Sequence, residues 1–132
     1  MWLTVMVTLA AFMTRPLADP DLWWHIAAGR WISSHWYVPT TDLWSVLHFG
    51  EEWRAYSWII EIPLSFIESI SGLSGLIFST FALALLLNGV IAFCCGKLSG
   101  SWFVGLLSAV TLTLGIVTHY SLRPQSFALI LF

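Results

Sequence analysis

From Ser69 to Gly96 the chain carries no charged side chain, and beyond Lys97 a second uncharged run extends from Leu98 to Leu122. Each is long enough to cross a bilayer, which takes about 20 apolar residues in a helix. Such runs leave little choice of fold, because backbone polar groups in lipid must be satisfied within the segment itself. The composition agrees: 9% of residues are charged and 58% hydrophobic, against roughly 25% charged in a soluble domain. Mean hydropathy is +0.84. The expected fold is therefore all-α and polytopic. A net charge of −2 excludes the basic surface that a nucleic-acid partner requires. Cys94 and Cys95 are adjacent inside an apolar run, a spacing that strains a disulfide, and they read as small buried residues near a helix end.

One membrane domain over residues 1–132 is expected. Residues 1–18 form a first span, 19–70 an external loop with interfacial helices, 71–96 and 98–118 two further spans, and 124–132 the start of a fourth. Phe127 to Phe132 stops within an apolar run, which suggests a fragment of a longer protein. A signal peptide is the competing reading of the first segment, but there is no basic n-region and Arg15-Pro16-Leu17-Ala18 is a poor cleavage site.

Residues 19–57 hold most of the polarity and a dense set of tryptophans: Trp23, Trp24, Trp31, Trp36, Trp44 and Trp53, with Trp58 just beyond. Indole rings favour the headgroup layer, so these read mainly as interfacial anchors. A helix is predicted from Asp21 to Ser34, capped by Asp19 with Pro20 at its first position. Helical spacing aligns Trp24, Ala27, Ala28 and Trp31 on one side and puts Asp21 and His25 on another. Breaks are expected at Val38-Pro39-Thr40-Thr41-Asp42 and at His48-Phe49-Gly50. Trp58 to Ser69 contains Glu61, Pro63 and Glu68. It can be a short span ending at Ser71-Gly72, but it is read as an interfacial helix, since carboxylates are costly at mid-bilayer. Small residues such as Ser79, Ala82, Gly105, Ser108 and Ala109 suit close helix packing in lipid.

With that segment interfacial, the Asp19 loop and the turn at His119–Gln125 face one compartment and Lys97 the other. Arg15, Arg30, Arg54 and Arg123 then all lie on the loop side, against the positive-inside tendency. Arginines kept there to hold anionic substrate groups would explain the exception.

The ordered set Asp19-Pro20-Asp21-Leu22-Trp23-Trp24-His25, Gly29-Arg30-Trp31-Ile32, Val38-Pro39-x-x-Asp42-x-x-Ser45, Gly50-x-x-Trp53 and Arg123-Pro124-Gln125 resembles the N-terminal module of bacterial GT-C-type membrane glycosyltransferases. Ala55-Tyr56-Ser57-Trp58 departs from the His/Glu-Trp pattern of that group. The resemblance implies a multi-pass protein of the bacterial inner membrane with its main loop extracytoplasmic. It also implies a polyprenyl-phosphate sugar donor and an acceptor that remains unspecified.

Sugar transfer from a lipid phosphate requires a base for the acceptor proton and a cationic setting for the leaving phosphate. Asp19 and Asp21 are the candidate catalytic residues. His25, Arg30, Arg123 and Gln125 are the candidate substrate-binding residues, with Arg54 a further cation. The Asp-x-Asp spacing of Asp19 and Asp21 also permits a divalent cation, Mg or Mn, through oxygen ligands.

Each residue has a plainer role as well. Asp19 can be only a cap and Asp21 a first-turn dipole partner. His25 can be a hydrogen-bonded interfacial residue, Arg123 can snorkel to headgroups, and Glu61 and Glu68 can sit in the interface without chemistry. The alternative function is a non-catalytic polytopic protein, a transporter or envelope-assembly subunit, with a structural or ion-binding acidic loop. Transporters place ionisable groups in mid-span, whereas the long runs here hold only Asn88 as a strongly polar interior residue.

Overall fold

The structure, a computed structural model, describes residues 2–14, 19–117, 120–122 and 126. Those residues form four α-helices: α1 (Trp2–Met13), α2 (Pro20–His35), α3 (Trp58–Ser99) and α4 (Trp102–Ile116). Among them there is no strand, only an isolated bridge between Thr41 and Glu52. The all-helical expectation therefore holds. Among the described residues only α3, 42 residues long, is long and apolar enough to cross a membrane. α1 and α4 are equally apolar but have 12 and 15 residues. Arg15 to Ala18 and, apart from Ser126, the expected fourth span lie outside the described residues.

α3 is not one rod. Gly72 has φ 57° and ψ −148°, a combination open essentially only to glycine, and it divides α3 into arms over 58–71 and 73–99. The arms lie against each other. Ile60, Pro63, Leu64 and Ile67 of the first and Ser79, Ala82, Leu83 and Leu86 of the second line one groove of about 330 Å³. The break at Ser71-Gly72 is where the sequence places it.

The second arm packs with α1 and α4. Trp2 meets Trp102 edge to face at 6.1 Å, and at the other end Met13 lies beside both Asn88 and Thr113. α1 and α4 thus run in one sense and the second arm in the other. α4 buries Gly105, Ala109 and Thr113, one turn apart, while α3 offers Ala92 and Gly96. A Cβ on Gly105 would fall 2.2 Å from the Ala92 carbonyl oxygen, so the two backbones touch in the way small residues permit in lipid-type packing. Gly100, at φ 68°, makes the left-handed turn between α3 and α4. Cys94 is exposed and Cys95 half-buried, so the pair is more accessible than its apolar setting suggests.

α2 follows its predicted start: Asp19 Oδ1 accepts from the Asp21 N–H at 3.1 Å and Pro20 occupies the first turn. Its buried face differs from the expected one. Leu22, Ile26, Gly29 and Ile32 are buried with Ala28, whereas Ala27 is exposed and Trp24 is 38% exposed. Leu22 and Ile26 join Leu64, Leu76, Leu83 and Leu87 in the main core. Tyr120 and Leu122 belong to that same core, and the Tyr120 hydroxyl donates to the Thr80 carbonyl at 3.0 Å.

The tryptophan face of α2 is covered by the connection that follows it. Trp44 packs edge to face on Trp24 at 5.1 Å, Trp53 at 5.2 Å and Trp31 at 6.0 Å. Residues 36–57 thus fold back onto α2 around a tryptophan cluster instead of spreading those rings separately. Asp42 pins the connection. Its Oδ1 accepts from the N–H groups of Trp44 and Ser45, both at 2.9 Å, and its backbone pairs with Gly50 and Glu51.

Candidate functional site

α2 and the first arm of α3 run side by side in the same sense, with His25 at Glu61 and Arg30 further along at Glu68. Gly29 allows this approach, since a Cβ there would lie 2.0 Å from the Glu61 carbonyl oxygen. Parallel neighbours need a long return, and residues 36–57 supply it.

The Glu61 carboxyl is buried and its Oε1 lies 2.8 Å from His25 Nδ1. Its Oε2 has no hydrogen-bond partner among the described residues. The Glu61 and His25 side chains are 3% and 14% exposed, so the histidine is the member nearer the surface. Arg30 is paired with Glu68 through its terminal nitrogen and is 58% exposed. Glu61 and Glu68 therefore have partners within the fold. Both project onto α2 and hold the charged and polar groups of the predicted motif. Nothing in the local sequence pairs these glutamates with α2, because the partners are separated by 36 and 38 positions.

Asp19 is half-buried at the cap and Asp21 exposed in the first turn. Asp21 sits one turn before His25 on α2, as the spacing predicts. Among the described residues no three His, Cys, Asp or Glu side chains come together as a metal site. Arg54 pairs with Glu52 in the exposed connection at 3.1 Å. Arg123 and Gln125, and His119 and Arg15 with them, lie outside the described residues. Their neighbours Tyr120 and Leu122 are buried in the core that also holds Leu22 and Ile26.

The Asp42 carboxyl in the loop holds a proton less tightly than an ordinary aspartate. The backbone N–H groups of Ser45 and then Trp44 hold it below its ordinary value. Hydrogen bonds to the charged form act in that direction.

The arrangement gathers two aspartates, a histidine oriented by a buried carboxylate and a salt-bridged arginine on one helix and its neighbour. A carboxylate–imidazole pair of this kind can accept a proton from a hydroxyl. No family model matches the chain, and neither a curated protein nor a solved structure is significantly similar to it.

Proposed function

We propose that the chain is a membrane module of a glycosyltransferase that moves a sugar from a polyprenyl-phosphate donor to an extracytoplasmic acceptor in the bacterial plasma membrane. In this reading α1, the second arm of α3 and α4 cross the bilayer, and α2 and the first arm are juxtamembrane helices. The ordered motifs from Asp19 to Gln125 and their resemblance to GT-C-type enzymes support it. So does the outward apolar surface of the bundle, where Leu3, Phe12, Phe78, Phe93, Phe103 and Leu114 are all exposed, a coating suited to lipid.

One observation carries the reading furthest. Leu122, which immediately precedes Arg123-Pro124-Gln125 in the sequence, shares a core with Leu22 of the Asp19–His25 stretch. A residue of the Asp19–His25 stretch and the residue that precedes Arg123 thus belong to one buried cluster. Asp19 and Asp21 take the catalytic roles of the motif, holding charge at the reacting centre, and His25, Arg30, Arg123 and Gln125 meet the substrate.

Replacing both aspartates, Asp19→Asn with Asp21→Asn, tests the reading. Asparagine caps a helix as well as aspartate does, so α2 persists. Transfer from a polyprenyl-phosphate sugar falls by on the order of 10²–10⁴-fold. Undiminished transfer overturns the catalytic role. The competing reading, a structural acidic loop in a non-catalytic membrane protein, draws on the Asp19 cap and the Arg30–Glu68 pair, which employ these charges without a substrate.

A further inference from the structure

We propose that Glu61 and His25 form a proton-accepting couple, in which buried Glu61 fixes the proton on His25 Nδ1 and leaves Nε2 as the base toward an acceptor hydroxyl. Its use in catalysis rests on the transferase reading above; its chemical state does not.

Glu61 Oε1 and His25 Nδ1 are 2.8 Å apart, a hydrogen bond that needs one proton between them. An ionised carboxylate has none to give, so Nδ1–H is the donor and Nε2 the nitrogen with a free lone pair. A carboxylate behind a histidine fixes tautomer and ring orientation in this way in many sites. Exposure falls in the useful order, with the carboxyl at 3% and the imidazole at 14%. The carboxyl is thus shielded and the ring keeps an accessible edge.

The orphaned oxygen sharpens the inference. Oε2 is buried and receives no hydrogen bond from the described residues, among which His25 is the sole donor to Glu61. Among those residues no arginine or lysine shares its charge: Arg30, further along α2, is taken by Glu68. The other carboxyl near His25 on α2 is Asp21, one turn earlier and exposed. A buried carboxylate with a single partner directs its field at that partner. Gly29 completes the device. Its missing Cβ lets α2 rest on the Glu61 carbonyl, with the Ser65 Cβ 3.0 Å from the space.

In the transfer step the acceptor O–H bond breaks and its proton goes to His25 Nε2. The acceptor oxygen forms the new bond to the anomeric carbon. The bond from that carbon to the phosphate oxygen breaks, and its electron pair leaves with the polyprenyl phosphate. The imidazolium is neutralised by Glu61, which makes Glu61 a positioning residue and His25 the base.

The test uses the full chain labelled with ¹⁵N-histidine in nanodiscs at about pH 8, above the usual imidazole value of about 6.5. The His25 signals are assigned by their loss in His25→Gln. Wild type shows the Nδ1–H tautomer. In Glu61→Gln the amide can donate to Nδ1, and the proton moves to Nε2; Gly29→Ala parts the helices and also loses the Nδ1–H preference. An Nε2–H tautomer in wild type, or one unchanged by Glu61→Gln, overturns the couple. Kinetics with a polyprenyl-phosphate sugar supply the second readout. Glu61→Gln lowers kcat by on the order of 10²-fold and keeps the donor KM within about twofold. A normal kcat with the tautomer switched removes the base role. The stated tautomer with no turnover by wild type on any such donor upholds the couple and overturns the transferase reading.

Discussion

Thr113 Oγ1 donates a 2.8 Å hydrogen bond to Asn88 Oδ1 where α4 crosses the second arm of α3, and both residues are fully buried. Asn88 Nδ2 in turn donates to the Ala84 carbonyl at 3.0 Å and points at Met13 Sδ at 3.1 Å. One amide therefore ties α1, α3 and α4 together within a mainly apolar core. Hydrogen bonds of this type between membrane helices contribute about 0.6 kcal/mol on average and up to about 1.7 kcal/mol.

Thr113→Val keeps the shape of the side chain and strands Asn88 Oδ1, so it costs about 1–2 kcal/mol. Asn88→Leu removes both ends of the network. In the double variant the valine substitution costs less than it does alone, because no acceptor remains to be stranded. A double-mutant cycle of thermal or denaturant unfolding in detergent measures this coupling. Strict additivity would show that the bond contributes nothing.

The lowered proton affinity of Asp42 makes the 36–57 connection sensitive to acid. A carboxyl whose folded-state value lies below its unfolded one stabilises the fold above the unfolded value, about 3.9. That contribution disappears as pH falls through the folded value. Acid titration below about pH 4 therefore loosens the connection, seen as a change in tryptophan fluorescence from the Trp24–Trp44–Trp53 cluster. Asp42→Asn removes this carboxyl's share of the acid-dependent change. A titration identical to wild type in that variant would assign the change to other groups.

Trp36 ends α2 with φ 59°, the left-handed conformation that glycine takes at helix C-termini, and its side chain is 92% exposed. Its N–H still closes the helix onto the Ile32 carbonyl at 2.9 Å. Holding a β-carbon in that conformation costs roughly 1–2 kcal/mol. Trp36→Gly therefore stabilises the end of α2 by about 1 kcal/mol, read as slower amide exchange at residues 33–36. Faster exchange would show that the indole makes a stabilising contact that outweighs the strain.

Much of the local chemistry was legible in the chain. The Asp19 cap with Pro20 and the break at Gly72 follow from residue type, because each is decided within a few neighbours. The packing was less so. Spacing aligned Trp24 and Trp31 with Ala27 and Ala28 as one stripe, yet the core side of α2 is Leu22, Ile26, Gly29 and Ile32. Two large aromatic rings outweigh aliphatic neighbours in a periodicity reading. Here they instead receive Trp44 and Trp53 from a later segment. The pairing of Glu61 with His25 was illegible for a related reason. It depends on the absent side chain of Gly29 and on the return of residues 36–57, which no local pattern encodes.

The central claim is that the Asp19–His25 helix and the segment preceding Arg123 open onto one face of a membrane, with Lys97 on the other. Single cysteines at His48→Cys, Ser121→Cys and Ser99→Cys, in a background with Cys94 and Cys95 replaced, can be labelled with an impermeant maleimide on sealed spheroplasts and inverted vesicles. Positions 48 and 121 are predicted to label from the outside only, and position 99 from the inside only. Labelling of 48 and 121 from opposite sides, or of all three from one side, would contradict the account.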